Sequence, residues 1–273
     1  MSFKWNLKIF SVNFFDTRLT FLLLAMLITV GGYQPSAIAE PQNTQNYVVL
    51  NGGLTDIHDG AYVEGSARHG GIQPDYHIDL QAEPLKSLLA ESAEIGKLPV
   101  GYWDKVGMVV DLLRSTLVYH DYYNPYYRRL LKQYRDSQRD IPLNEYVACG
   151  AGVCREHALL LHFALKSAGI PNKHAYASIY RASRSEGWSV NEDHAFLVVR
   201  HQGVDWVVDS YYRGFNGFRL QDLMSRHGIT KSSVTAPIAD PMPGIRRIVA
   251  INSFPKIYNP RSTVRSCRAL FLN

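Results

Sequence analysis

Three side chains of this 273-residue sequence come in an order suited to making and breaking a thioester: Cys154, His194 and Asp209. A thiol attacks as its thiolate, a form favoured at a helix N-terminus and beside an imidazolium. A histidine supplies that imidazolium and moves the proton, while a carboxylate fixes the histidine's tautomer. Taken singly, each is an ordinary residue: a small buried thiol, a strand histidine, a turn aspartate. Their local contexts single them out together.

The first context is a helix. Residues 144–171 read NEYVACGAGVCREHALLLHFALKSAGIP. Gly150 and Gly152 permit a tight backbone path, Ala158, Leu161, Leu165 and Ala168 recur on one helical face, and Gly169 with Pro171 supplies a stop. Cys154 therefore opens an amphipathic helix. The second context is a hairpin. Residues 173–182 alternate as a strand, 184–193 read as a loop, and 194–212 read as two strands turning at Gln202-Gly203. A turn centred there sets His194 opposite Tyr211 and Phe196 opposite Asp209. Because side chains alternate, His194 and Asp209 then share one face, where an odd-length loop would separate them. An oxyanion formed at Cys154 would meet the Cys154 backbone N–H, with a second donor from Asn144 or Tyr146.

Around this centre the sequence predicts helices at 84–96 and, from the stripe Val106, Val109, Val110, Leu113 and Leu117, at 103–117. A tyrosine-rich stretch at 119–135 is interrupted by Pro125, and RRIVAI at 246–251 has the pattern of a strand. The class expected is α+β. Residues 40–100 read as an irregular leading segment or cap, and 101–273 as the catalytic domain.

Hydrophobic residues make up 46% and charged residues 19%, a globular balance, and three cysteines are too few for a disulfide scaffold. Lys4, Lys8 and Arg18 precede the apolar run 19–30, and Ala37-Ile38-Ala39 follows, the order of a signal peptide over residues 1–39. The run is short for a membrane-spanning anchor, so an exported chain without a membrane segment is expected. Lys4, Lys8 and Arg18 against Asp16 put two of the five net positive charges in that leader, which leaves nucleic-acid binding little support. Cys149, Cys154, His157 and His162 do not reproduce a zinc-knuckle spacing, so neither metal nor cofactor is expected.

The segments GVCREHALLLHFALKSAGIP, DHAFLVV and WVVDSYY resemble the three motifs of the transglutaminase-like superfamily of papain-like thiol enzymes. The resemblance covers residues 150–217. It implies a papain-like core in which Cys154 is the nucleophile, His194 the base and acid, and Asp209 the orienting carboxylate. Phe196, Ser210 and the pair Arg155-Glu156 depart from the residues common at those places. The spacing and the nearby Cys149 also look like the Gln-deamidase domains of bacterial mitogenic toxins. The activity implied is Gln side-chain deamidation or transglutamination on a protein or peptide substrate. Peptide cleavage by the same triad and an inactive binding module are the alternatives. In an oxidising compartment Cys149 and Cys154, five residues apart, could also close a disulfide that masks the nucleophile, with Cys267 left over.

Overall fold

The computed structural model describes residues 47–48, 53–67, 71–183, 187–212, 215–226, 236 and 245–251. The proposed leader and Cys267 lie outside them. Short strands β1 (Tyr47–Val48), β2 (Leu54–Thr55), β3 (Tyr62–Val63) and β4 (Tyr76–His77) come first. They are followed by α1 (Leu85–Lys97), α2 (Tyr102–Thr116) and α3 (Pro125–Asp136), then β5 (Ile141–Pro142), α4 (Asn144–Cys149) and α5 (Cys154–Ser167). Strands β6 (Asn172–Ser183), β7 (Trp188–His201) and β8 (Val204–Val208), helix α6 (Leu220–Met224) and β9 (Ile245–Ile251) complete the order. The fold is α+β.

Its main sheet is antiparallel, in the order β2-β6-β7-β8, with β9 added along β6 beside β2. The alternation of β7 sorts its side chains between two cores. Ala195, Leu197 and Val199 join Leu159, Leu160, Leu161 and Leu165 of α5 in the main core, which also takes in α1 and α2. Phe196 and Val198 join Ala175, Ala177, Ile179, Val207 and Phe215 on the opposite face. A sheet covered on both faces explains why the apolar run Ala195, Phe196, Leu197, Val198 and Val199 of β7 is buried throughout.

The leading segment is built into this body. Ile57, Val63, Tyr76 and Ile78 are fully buried in the main core. Asp56 bonds Lys166 of α5 at 2.9 Å and Lys173 of β6 at 3.1 Å, and those ammonium groups, Lys166 foremost, hold its carboxyl well below the usual range. Ile57 N–H donates to His162 Nε2 at 3.1 Å, while His162 Nδ1–H donates to Asn172 Oδ1 at 2.6 Å. These contacts place His162 in a structural network.

Two expectations change. The tyrosine-rich stretch holds a full helix, α3, that starts at Pro125; a proline at the first helical position costs no hydrogen bond, and Asn124 Oδ1 accepts from the Tyr126 N–H at 2.9 Å. The stretch 184–193, read as a loop, is strand from Trp188 onward, its backbone pairing continuing to Ser183 opposite Trp188. Its polar side chains hid that ladder. Among the described residues no helix is long and apolar enough to cross a membrane.

Leu161 is fully buried between α5 and the sheet, so Leu161→Ala is expected to cost about 2–5 kcal/mol in chemical denaturation, while Met108→Ala, at a 39% exposed site, stays within about 0.5 kcal/mol. His174 is buried on β6 with neither ring nitrogen hydrogen-bonded among the described residues, and burial, with His162 and Arg155 adding, pulls its pKa from 6.5 to about 3. The unfolded chain therefore binds the proton first. Stability is fully present above pH 6.5 and is lost as the pH falls toward 3, and in His174→Leu the decline in Tm across that window should be visibly shallower.

Candidate active site

The hairpin turns on Gln202 and Gly203 with φ of 51° and 78°, two left-handed residues as in a type I′ turn, and pairs His201 with Val204 and Leu197 with Val208. This is the register read from the sequence. It leaves His194 on β7 and Asp209, one residue past β8, on the same side as Phe196, Val198 and Val207. Their side chains meet: His194 Nε2 lies 2.6 Å from Asp209 Oδ2, and both residues are buried. An ionised carboxylate only accepts, so the proton of this bond belongs to Nε2. The other ring nitrogen, Nδ1, is buried and has no hydrogen-bond partner among the described residues. Among the described residues four aromatic rings enclose the imidazole, with Tyr212 at 4.7 Å, Phe215 at 5.4 Å, Phe196 at 6.1 Å and Tyr211 at 6.2 Å between centroids.

Asp209 is itself held from several directions. Its Oδ1 accepts the Tyr211 N–H at 2.7 Å, and its own N–H donates to Asn216 Oδ1 at 3.3 Å. Arg114 of α2 donates to the backbone oxygens of Ser210 at 2.9 Å and Asp209 at 3.4 Å. The turn after β8 is thereby fixed to a helix.

Cys154 is the first residue of α5 and is half-buried. Space for this start depends on Gly152, where a Cβ would come within 2.9 Å of Glu156 Cβ. Glu156, fully buried, caps the helix through Oε2, which accepts the Val153 N–H at 2.8 Å. Its Oε1 accepts from the Tyr76 hydroxyl at 2.5 Å and also from the Gln73 amide, and Tyr127 Oη lies 3.4 Å away. Burial pushes the Glu156 carboxyl up, opposed by the bonds from Tyr76 and Val153. Tyr76, Tyr127 and Tyr146 form the buried wall behind it, and burial raises all three phenols well above their ordinary range.

Two tyrosines line the imidazole. Tyr211 and Tyr212, both packed on the His194 ring, have their pKa values raised chiefly by burial, with Cys154 the next contribution for Tyr211 and Glu192 for Tyr212. On the helix side, Arg155 lies 4.7 Å over the Tyr176 ring and donates to Glu64 O at 3.2 Å. Cys149 ends α4 and Cys154 starts α5, no disulfide joins them, and burial pushes the Cys149 thiol up. Of the two side chains considered as a second oxyanion donor, Asn144 spends its amide on Glu83 O at 3.0 Å, and Tyr146 is buried against Tyr76 and Tyr127.

Several residues around the site had no role in the sequence reading. His120, on the α2–α3 connection, contacts His157 of α5, which contacts Ser210. His157 entered the sequence reading only in the set Cys149, Cys154, His157 and His162, whose spacing does not suit a metal. Glu156 carried a clearer signal, standing three residues after the residue that precedes Cys154, as a capping glutamate does. Arg114, ninety-odd residues before its partners Asp209 and Ser210, had none.

A family model described as N-acetyltransferase matches residues 150–233. The span contains Cys154, His194 and Asp209 but less than half of the chain. No curated protein matches the chain. The family match corrects the resemblance drawn from GVCREHALLLHFALKSAGIP, DHAFLVV and WVVDSYY: it falls to an N-acetyltransferase model, a family different from the transglutaminase-like superfamily. Gln deamidation, transglutamination, peptide cleavage, a toxin-like effector and an inactive module fall with that resemblance. The reason is chemical. A helix-opening thiol, a strand imidazole and a carboxylate specify how an acyl group is taken up, but not from which donor. Over residues 150–233 the chain is thus similar to enzymes that transfer an acyl group to nitrogen.

Proposed function

We propose that this protein is a thiol-dependent acyltransferase on a papain-like core, moving an acyl group from a thioester donor to an amine through an acyl-Cys154 intermediate. One observation carries the reading: His194 has Nε2 committed to Asp209 at 2.6 Å and Nδ1 buried without a hydrogen-bond partner among the described residues, inside an aromatic enclosure, while Cys154 opens α5. The similarity of residues 150–233 to N-acetyltransferases supports the choice of acceptor.

The steps follow from the groups present. With the proton of the thiol on His194 Nδ1, the Cys154 thiolate attacks the donor carbonyl and forms a carbon–sulfur bond. The oxyanion lies toward the Cys154 N–H in the first turn of α5, where backbone donors have no partner within the helix. Collapse breaks the donor's carbon–sulfur bond, and the departing thiolate takes the proton from Nδ1. An amine then attacks acyl-Cys154 and gives a proton to Nδ1. The amide leaves, and the thiolate and imidazolium are restored. Asp209 keeps its proton partner on Nε2 throughout, which reserves Nδ1 for the exchange.

The activated ester p-nitrophenyl acetate tests this without knowledge of the natural donor. Wild-type protein should release p-nitrophenolate in a burst, carry one acetyl group on the Cys154 peptide by mass spectrometry, and turn over faster when a primary amine is added. Cys154→Ala should lose the burst and the adduct, and turnover at the wild-type rate in that variant would sink the proposal. Asp209→Asn should retain the fold while lowering kcat by about 10²–10⁴-fold, because the imidazole can then adopt the wrong tautomer.

A further inference from the structure

We propose that His157 is a positioning residue, a strut that runs from the nucleophile's own helix to the turn carrying Asp209. This inference rests on the acyltransferase reading of Cys154, His194 and Asp209. His157 is fully buried and uses both ring nitrogens: Nε2 lies 3.1 Å from His120 Nδ1, and Nδ1 lies 3.0 Å from the Oγ of Ser210, also buried. Buried imidazoles with two partners fix whatever they join.

What His157 joins is specific. It stands one helical turn beyond Cys154, at the same end of α5. Ser210 directly follows Asp209, and its carbonyl is the acceptor of Arg114 Nε. The side chain of Ser210 is therefore held by α5 and its backbone by α2. On the outer side, His120 closes the chain: its carbonyl accepts the Tyr211 hydroxyl at 3.0 Å, so the residue after Ser210 is tied to the same loop. The turn 209–211 is gripped at each of its residues, and His157 supplies the only one of these grips that comes from the helix bearing the thiol. Movement of α5 relative to β8 would be resisted at this contact.

The strut works uncharged. The titratable and charged groups around it are His120, Arg114, His194 and Tyr211. Burial first, and the positive charges next, hold the His157 pKa well below its usual range. A neutral ring has one donor and one acceptor nitrogen, and Ser210 and His120 each accept either role, so both tautomers keep the turn tied.

Isosteres separate the two contacts. Asn carries a polar atom at the place of Nδ1 and Gln at the place of Nε2, so His157→Asn keeps the Ser210 contact and His157→Gln keeps the His120 contact. The readout is the rate of Cys154 alkylation by iodoacetamide at neutral pH, followed on the Cys154 peptide by mass spectrometry, with Tm measured alongside. His194→Ala should slow alkylation, establishing that the imidazole supports the thiolate. His157→Gln and Ser210→Ala should each slow it by about 10–100-fold, with Tm little changed for Ser210→Ala, while His157→Asn stays near wild type. If His194→Ala is slow but Ser210→Ala and His157→Gln match wild type, the strut is wrong and the acyltransferase reading survives. Equal losses in His157→Asn and His157→Gln also overturn it, since a core-filling role would not distinguish the two. If His194→Ala alkylates at the wild-type rate, the reading and the strut fall together.

Discussion

The number of residues in one turn decides whether this protein has a site at all. Gln202 and Gly203 are the whole connection between β7 and β8, and two is an even number. Strand side chains alternate with a period of two, so a connection one residue longer would send Asp209 to the α5 face of the sheet while His194 stayed on the other. Burial enforces the observed parity from both sides. Leu197, Val199 and Val208 are needed in the main core and Phe196, Val198 and Val207 in the second one, so a slipped register would expose one set and bury none properly. The 2.6 Å contact between His194 and Asp209 is thus held in place by apolar packing along the hairpin, well before any polar residue near the site contributes.

The second constraint is where α5 begins. A carboxylate as fully buried as Glu156 is costly unless its acceptors are filled. Here they are filled by the Val153 N–H and by Tyr76 and Gln73 of the leading segment. The same carboxylate therefore caps the helix that Cys154 opens and anchors the segment that packs behind it. The start of the nucleophile's helix is a tertiary feature as much as a local one. Lys166 and Lys173 on Asp56, and His162 between Ile57 and Asn172, repeat the arrangement further along the helix.

Much of this was legible from spacing. The α5 start and stop, α1, α2, the hairpin turn and the shared face of His194 and Asp209 all follow from periodicity and turn residues, which are local properties. The elements missed were those whose local signal is contradicted by tertiary context. Helix α3 hid behind Pro125, which as a first helical residue starts the helix it would break from inside. The beginning of β7 hid behind Ser, Asn, Glu and Asp, residues that enter strands when a partner strand and an ion pair receive them. At the site, the residues missed were the supports: Arg114, His120, His157 and Ser210 belong to distant parts of the chain, and no spacing rule connects them. The family, too, was misread, because the three motifs record the chemistry of a thiol and leave its acyl donor open.

The misread stretch of β7 bears directly on the site. Glu192 sits two residues from His194 on the same face, and it forms a buried ion pair with Arg181 of β6 at 2.6 Å. A buried pair of this kind recovers little more than its desolvation cost, and an apolar pair of equal volume would stabilise the sheet as well. Its effect is better sought in geometry. Arg181 lies 4.5 Å over the ring of Tyr212, and Tyr212 is the aromatic closest to His194 among the described residues. Glu192 keeps the guanidinium where it is, the guanidinium holds the tyrosine face, and the tyrosine closes one wall around the imidazole. A run of polar residues that looks like a loop in the sequence is, once paired, the part of the strand that shapes the enclosure in which Nδ1 is kept free of water.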